Sequence, residues 1–301
     1  MKLVISASPH IDSGATTRKI MGDVLIALCP ALIAAVIIFG WRALLVTAVC
    51  AAACVFFEWG FEKLCHKPST IDDLSAVVTG VILAYNLPAS IPLWQAVFGC
   101  LVAIVAVKQL FGGIGKNFAN PALVGRIVLF LSFSKTMTAW VFPDAVSSAT
   151  PPAQLAAGQK PELWTLLLGN HGGCIGETCA LALLLGGAYL LLRGVITWQT
   201  PVCFVGTVFV LSLILGQDAV RQILSGGLLL GAFFMATDYV TAPQTCWGRA
   251  LFGIGAGLLT CLIRFYGSYA EGVSFAILFM NILTPYLSKW TRSKPLGGVP
   301  A

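Results

Sequence analysis

Thr178 closes the run Gly172-Gly173-Cys174-Ile175-Gly176-Glu177-Thr178-Cys179. A Gly-rich turn that feeds a helix presents free backbone N–H groups. The helix dipole adds partial positive charge there, so the run suits a phosphate held beside the Thr178 hydroxyl. The same residues also read as a plain Thr N-cap. A second run, Gly112-Gly113-Ile114-Gly115-Lys116-Asn117-Phe118-Ala119-Asn120-Pro121, spaces two amides three residues apart. Asn117 and Asn120 together offer donors and acceptors that match the alternating edge of an isoalloxazine-type ring. The run lacks P-loop spacing and no strand precedes it, which excludes a nucleoside-triphosphate site. The alternative is a re-entrant loop whose asparagines satisfy their own backbone.

A third motif is Met235-Ala236-Thr237-Asp238-Tyr239-Val240-Thr241-Ala242-Pro243, where Asp238 ends a strongly apolar stretch. An acid at membrane depth is expensive and usually functional, and Asp238 is therefore a candidate for ion coupling. An Asp in headgroup water, or one capping the next turn, is the equal alternative. The fourth motif, Asp12-Ser13-Gly14-Ala15-Thr16-Thr17, is similar to the Ser-Gly-Ala-Thr sequence at which some flavoproteins carry FMN on a threonine. Such a Ser/Thr run ahead of a helix is more often a cap, and Thr16 is read as one.

These motifs sit in a chain built for lipid. Of 301 residues, 58% are apolar and 10% are charged, with mean hydropathy +0.89. A soluble domain usually carries about 25% charge. A large soluble domain is excluded. The 31 glycines fit close helix approach in a bilayer. Most of the ten cysteines fall in apolar stretches and behave as small hydrophobes, so no metal site is expected. Cys174 and Cys179 flank the first motif without a predicted bridge. No cleavable signal peptide is expected, because the first twenty residues are polar.

A span needs about 20 mostly apolar residues. The pattern predicts an all-α polytopic membrane protein with about ten transmembrane helices, at 22–40, 43–60, 74–87, 92–110, 122–142, 178–194, 200–216, 220–236, 248–265 and 270–288. With the N-terminus inside, the outer segments hold Arg42, Lys135, Lys160, Arg221 and Arg264, and the other 13 of 18 basic residues face the cytoplasm. That bias predicts an N-in, C-in topology. The predicted organisation is one integral membrane domain. It comprises a cytoplasmic segment 1–21, a five-helix half 22–142, an outward loop 143–177, a second half 178–288 and a cytoplasmic tail 289–301. A thin internal match aligns Asp73-Leu74-Ser75 at span three with Glu177-Thr178-Cys179 at span six, and five spans per half predict two inverted repeats.

Taken together, the motifs resemble the RnfD family, related to the NqrB subunit of the sodium-pumping quinone reductase. The resemblance rests on Ser8-Pro9-His10-Ile11, on Asn117 through Arg126, on Gly176-Glu177-Thr178, on Ala236-Thr237-Asp238, and on Tyr269 through Leu278 with Asn281 and Thr284-Pro285. It implies a membrane subunit of an Rnf-type complex that couples electron flow between ferredoxin and NAD to Na⁺ or H⁺ transport across the inner membrane. It implies FMN on a threonine phosphoester, matching Thr178 with Gly176 and Glu177 beside it, attached by a flavin transferase. It also implies a non-covalent riboflavin, matching Asn117 and Asn120. Other complex subunits and the bilayer are the implied partners, and no nucleic acid. Cysteines at 174 and 179 depart from the Ser-like residues expected there. The rival class is a small-solute channel or transporter on the same inverted-repeat plan.

Overall fold

The computed structural model describes residues 15–140, 150–267 and 272–292. The Ser8–Ile11 motif, Asp12–Gly14, residues 143–149 of the outward loop, Tyr269–Glu271 and the tail from 293 lie outside the described residues. Those described are helical, with no strand among them. The helices are α1 Thr17–Phe39, α2 Trp41–Leu64, α3 Ser75–Tyr85, α4 Leu93–Leu101, α5 Pro121–Ser132, α6 Ser134–Met137 and α7 Pro151–Ala156. They continue with α8 Leu163–Leu168, α9 Ala180–Leu192, α10 Gln199–Ile214, α11 Ala219–Leu224, α12 Leu228–Leu230, α13 Cys246–Tyr266 and α14 Val273–Trp290. By length and composition α1, α2 and α13 can each cross a membrane, and several shorter helices are as apolar. The chain is a helical membrane protein.

Helix lies under every predicted span, but three spans are not simple helices. Span four passes from α4 into a π-helical stretch, Val102–Gln109. Span five stops at Ser132, because Phe133 leaves helical geometry with its ring edge-on to Trp94 and Phe98. Span eight breaks between α11 and α12, where Gly226 takes φ +65°, and then runs through a second π-helical stretch, Gly231–Met235. Arg264 on α13 supplies what that break removes. Its guanidinium donates to Gln222 O at 2.7 Å and Ser225 O at 3.0 Å, replacing the helical donors those carbonyls lost. Within the loop before α9, the short helices α7 and α8 bury Leu155 and Leu166.

Small residues set the helix spacing. A Cβ on Gly80 of α3 would meet the α2 backbone at Ala51 Cα, 2.7 Å away. One on Gly186 of α9 would meet Ala27 O of α1 at 2.2 Å. The same packing order occurs twice. In the first half α2 packs on α3 and α4, and the π stretch after α4 packs on α5. In the second, α10 packs on α11 and α13, and α13 packs on α14. Contacts of α1 with α9 and of α5 with α14 join the halves. This order places α1 opposite α9, so it differs from the sequence match of span three with span six.

Candidate functional site

A cavity of about 330 Å³ opens among both halves, within the 300–1,000 Å³ range typical of small-molecule sites. Its walls are apolar, from Met21, Val24, Val78, Ile82, Leu190, Val195, Phe233 and Phe234. Its polar groups come from Ser75, Lys108, Asn117, Asn120, Thr237 and Asp238. Two motifs that stand about 120 positions apart in the chain therefore meet at one site. Both π-helical stretches end here, the first at Lys108 and Gln109, the second just before Thr237 and Asp238. Single wide turns of this kind are frequent at functional sites.

The two asparagines serve the backbone and the cavity together. Asn120 Oδ1 accepts from Ala122 N at 3.1 Å and caps α5, which leaves its amide nitrogen to the cavity. Asn117 Nδ2 donates weakly to Ala119 O at 3.4 Å. Asp238 Oδ2 accepts from Thr241 Oγ1 at 3.0 Å. It also lines a second, more polar cavity of about 300 Å³ with Thr197, Thr200, Gln244 and Arg249. Arg249 is braced there by Pro243 O at 3.1 Å and Thr197 Oγ1 at 3.2 Å. Asp238 thus stands between a polar vestibule and an apolar cavity.

Sequence reasoning missed a buried ion pair at the cavity wall. Lys108 Nζ lies 2.6 Å from Glu58 Oε1, and the side chains are 3% and 0% exposed. Lys108 also donates to Ser75 Oγ at 2.6 Å. Glu58 Oε1 accepts further from Gln109 Nε2 at 2.9 Å and Thr70 Oγ1 at 3.2 Å, while its Oε2 has no hydrogen-bond partner among the described residues. The signal lies in the sequence: Glu58 falls inside an apolar predicted span, where an acid is rarely incidental. The charge count across the membrane takes Lys108 for a loop residue, whereas the structure buries it.

The Thr178 segment lies at the other end of α3. Eleven residues of helix span roughly 16 Å, with Ser75 at the cavity end and Tyr85 at the Thr178 end. There Ile175 N donates to Leu87 O and Gly176 N to Tyr85 O, both at 2.9 Å. The reading of Thr178 as an N-cap is corrected. The helix begins at Ala180 with Cys179 at the N-cap, so Thr178 precedes the first turn rather than capping it. Gly176 packs directly on α3, where a Cβ would meet Tyr85 at 2.3 Å. Glu177 braces its own loop, with Oε1 accepting from Cys174 N at 2.9 Å. Thr178 itself is 1% exposed, so an attached flavin does not fit the loop as packed.

Beside that loop lies a buried polar junction. Arg126 donates to Asn86 Oδ1 at 3.0 Å and to Ser274 Oγ at 2.6 Å, joining α5 to α3 and α14. Burial lowers the His171 pKa below the usual imidazole value, and the Gly172 carbonyl at 3.1 Å from Nδ1 pulls the other way. Cys174 and Cys179 point apart, towards Asn86 O and Leu167 O. Thr16 caps α1 by accepting from Lys19 N at 3.3 Å, as read from sequence.

A helical membrane protein with broken, π-bulged helices around a mixed polar and apolar cavity is a class that binds or moves small solutes and cofactors. Residues 4–297 match the family model for the NQR2, RnfD, RnfE family, and the chain belongs to that family. Among its relatives is the subunit designated D in the Na(+)-translocating ferredoxin:NAD(+) oxidoreductase complex of Acetobacterium woodii. The two are 46% identical over 99% of this chain and 96% of the relative. The counterpart in the proton-translocating ferredoxin:NAD(+) oxidoreductase complex of Clostridium ljungdahlii is 41% identical, over 97% and 96%. The counterpart in the ion-translocating oxidoreductase complex of Actinobacillus succinogenes is 34% identical, over 97% of each chain.

Proposed function

We propose that this chain is the flavin-carrying membrane subunit of an Rnf-type complex, coupling ferredoxin and NAD redox chemistry to Na⁺ or H⁺ transport across the inner membrane. Family membership and the relatives' names support the complex, the coupling and partnership with its other subunits. Relatives at 46% and 41% identity are named for different ions, so overall likeness does not set the ion.

The observation that carries the cofactor reading is the cavity shared by Asn117, Asn120 and Asp238. Three features support a non-covalent riboflavin there: the volume, the apolar walls, and an Asn120 amide nitrogen left over from the α5 cap. A flavin bound there would supply one- and two-electron transfer, chemistry that belongs to the cofactor. In this reading Asn117 and Asn120 orient the ring edge, and Val78, Ile82, Phe233 and Phe234 exclude water. Asp238 meets any cation that enters through the Arg249 vestibule, and it feels charge in the cavity across a short, poorly screened distance.

Thr178 is the proposed site of covalent FMN, supported by its family motif. The loop as packed has no space for that group, so loading it requires the loop to open. The proposed topology is N-in and C-in, with two inverted five-helix halves flanking the 143–177 loop. The repeated packing order supports the halves. Three of the five basic residues assigned outside bind backbone carbonyls: Arg42 with Ala89 O and Ile91 O, Arg221 with Pro161 O, and Arg264 with Gln222 O and Ser225 O. Colour separates this function from a solute channel: the purified chain is expected to be yellow, and a colourless chain with intact fold overturns the reading.

A further inference from the structure

Lys108 and Asp238 are the only charged side chains on the wall of the large cavity among the described residues. Lys108 has three N–H donors. Two are engaged, by Glu58 Oε1 and by Ser75 Oγ, each at 2.6 Å. The third remains, and Ser75 and Lys108 both face the cavity. Gln109 and Thr70 hold the Glu58 carboxylate in place, so the ammonium is fixed by its partners on the lining of the cavity.

A structural role alone does not account for this arrangement. The second half offers a comparison in Arg264, the cation that reaches from α13 to the break between α11 and α12. It is bound to carbonyls of the main chain, as a helix brace should be. Lys108 reaches from the corresponding π stretch to the start of α3, but it takes a hydroxyl and a carboxylate and lies on a cavity wall. The π-helical turn places the successive residues Lys108 and Gln109 both inside, at 3% and 2% exposure.

We propose that Lys108 is a positioning and tuning residue for the redox cofactor of this cavity: its ammonium, held by Glu58 and Ser75, stabilises the more negatively charged reduced state and so raises the cofactor's reduction potential. This rests on the reading of the cavity as a flavin site. A cation at close range in a site with little water favours added negative charge far more than it would in solvent. Asp238, which lines the same cavity, acts in the opposite sense, so the potential is set by the balance of the two.

The test is a spectroelectrochemical titration of the purified complex, with the component missing from an Asn117→Leu/Asn120→Ser complex taken as the cavity flavin. Lys108→Met is expected to weaken the preference for the reduced state at least tenfold, a downward shift of about 30 mV for a two-electron couple. Lys108→Arg, which keeps the charge, is expected to restore most of it. Lys108→Met strands Glu58, and where that variant fails to assemble, Lys108→Met/Glu58→Gln removes both charges and is expected to lower the potential as well. An unmoved potential in either assembled variant, with riboflavin present by extraction, overturns the role of Lys108. Retention of riboflavin in the double asparagine variant instead overturns the cavity reading, so the two failures are distinct.

Discussion

Lys108 Nζ and Glu58 Oε1 lie 2.6 Å apart in a part of the bundle where both side chains are almost wholly buried. Removing one partner leaves the other charged and unpaired, which costs about 3–5 kcal/mol, whereas replacing both with uncharged groups of similar volume is close to neutral. Lys108→Ala is therefore expected to lower the melting temperature of the detergent-solubilised protein clearly, and Lys108→Met/Glu58→Gln to recover much of the loss. Equal melting temperatures for Lys108→Ala and wild type would show that the pair contributes nothing to the fold.

His171 is expected to make the stability of the loop before α9 depend on pH. Burial holds its folded-state pKa below the usual imidazole value. As pH falls through about 6.5, the unfolded chain takes up a proton before the folded chain does, so stability is lost from there down towards the folded pKa. Wild type is expected to lose more melting temperature between about pH 7.5 and about pH 5.5 than His171→Gln, which cannot titrate. Parallel curves for the two proteins would remove His171 as the cause.

Thr178→Val keeps the shape of the side chain and removes the hydroxyl that a phosphoester needs. In-gel flavin fluorescence is expected to vanish in Thr178→Val and persist in Thr16→Val, whose only described role is the α1 cap. Losing that cap costs about 1 kcal/mol, too little to unfold the chain. Fluorescence that survives Thr178→Val and disappears with Thr16→Val would reverse the assignment.

A reporter fused after Ala301 is expected to be active only in its cytoplasmic form, because the sequence assigns 13 of 18 basic residues to that side and 11 remain once the buried Lys108 and Arg126 are set aside. Periplasmic activity there would contradict the ten-span, N-in and C-in topology.

Apolar periodicity places helix under each span because burial in lipid demands long apolar runs, which sequence shows directly. Helix interruptions are harder to see. The break at Gly226 depends on Arg264, 38 positions later, acting as donor to Gln222 and Ser225. The cavity is equally hidden, since Ser75, Lys108, Asn120 and Asp238 converge only through packing of both halves. The packing of Gly176 on Tyr85 is hidden for a related reason, since Tyr85 comes from another helix. Asn117 and Asn120 stand out in sequence because two amides lie three apart in so apolar a chain, and both line the cavity.

The central claim is tested most directly by the non-covalent flavin released from the purified complex on denaturation and measured by chromatography. Serine at 120 retains the α5 cap, so Asn117→Leu/Asn120→Ser removes the amides without removing the helix start. Wild type is expected to release riboflavin, and the double variant to release little while its covalent flavin fluorescence stays intact. Equal riboflavin from the two complexes would contradict the assignment of this cavity as the flavin site.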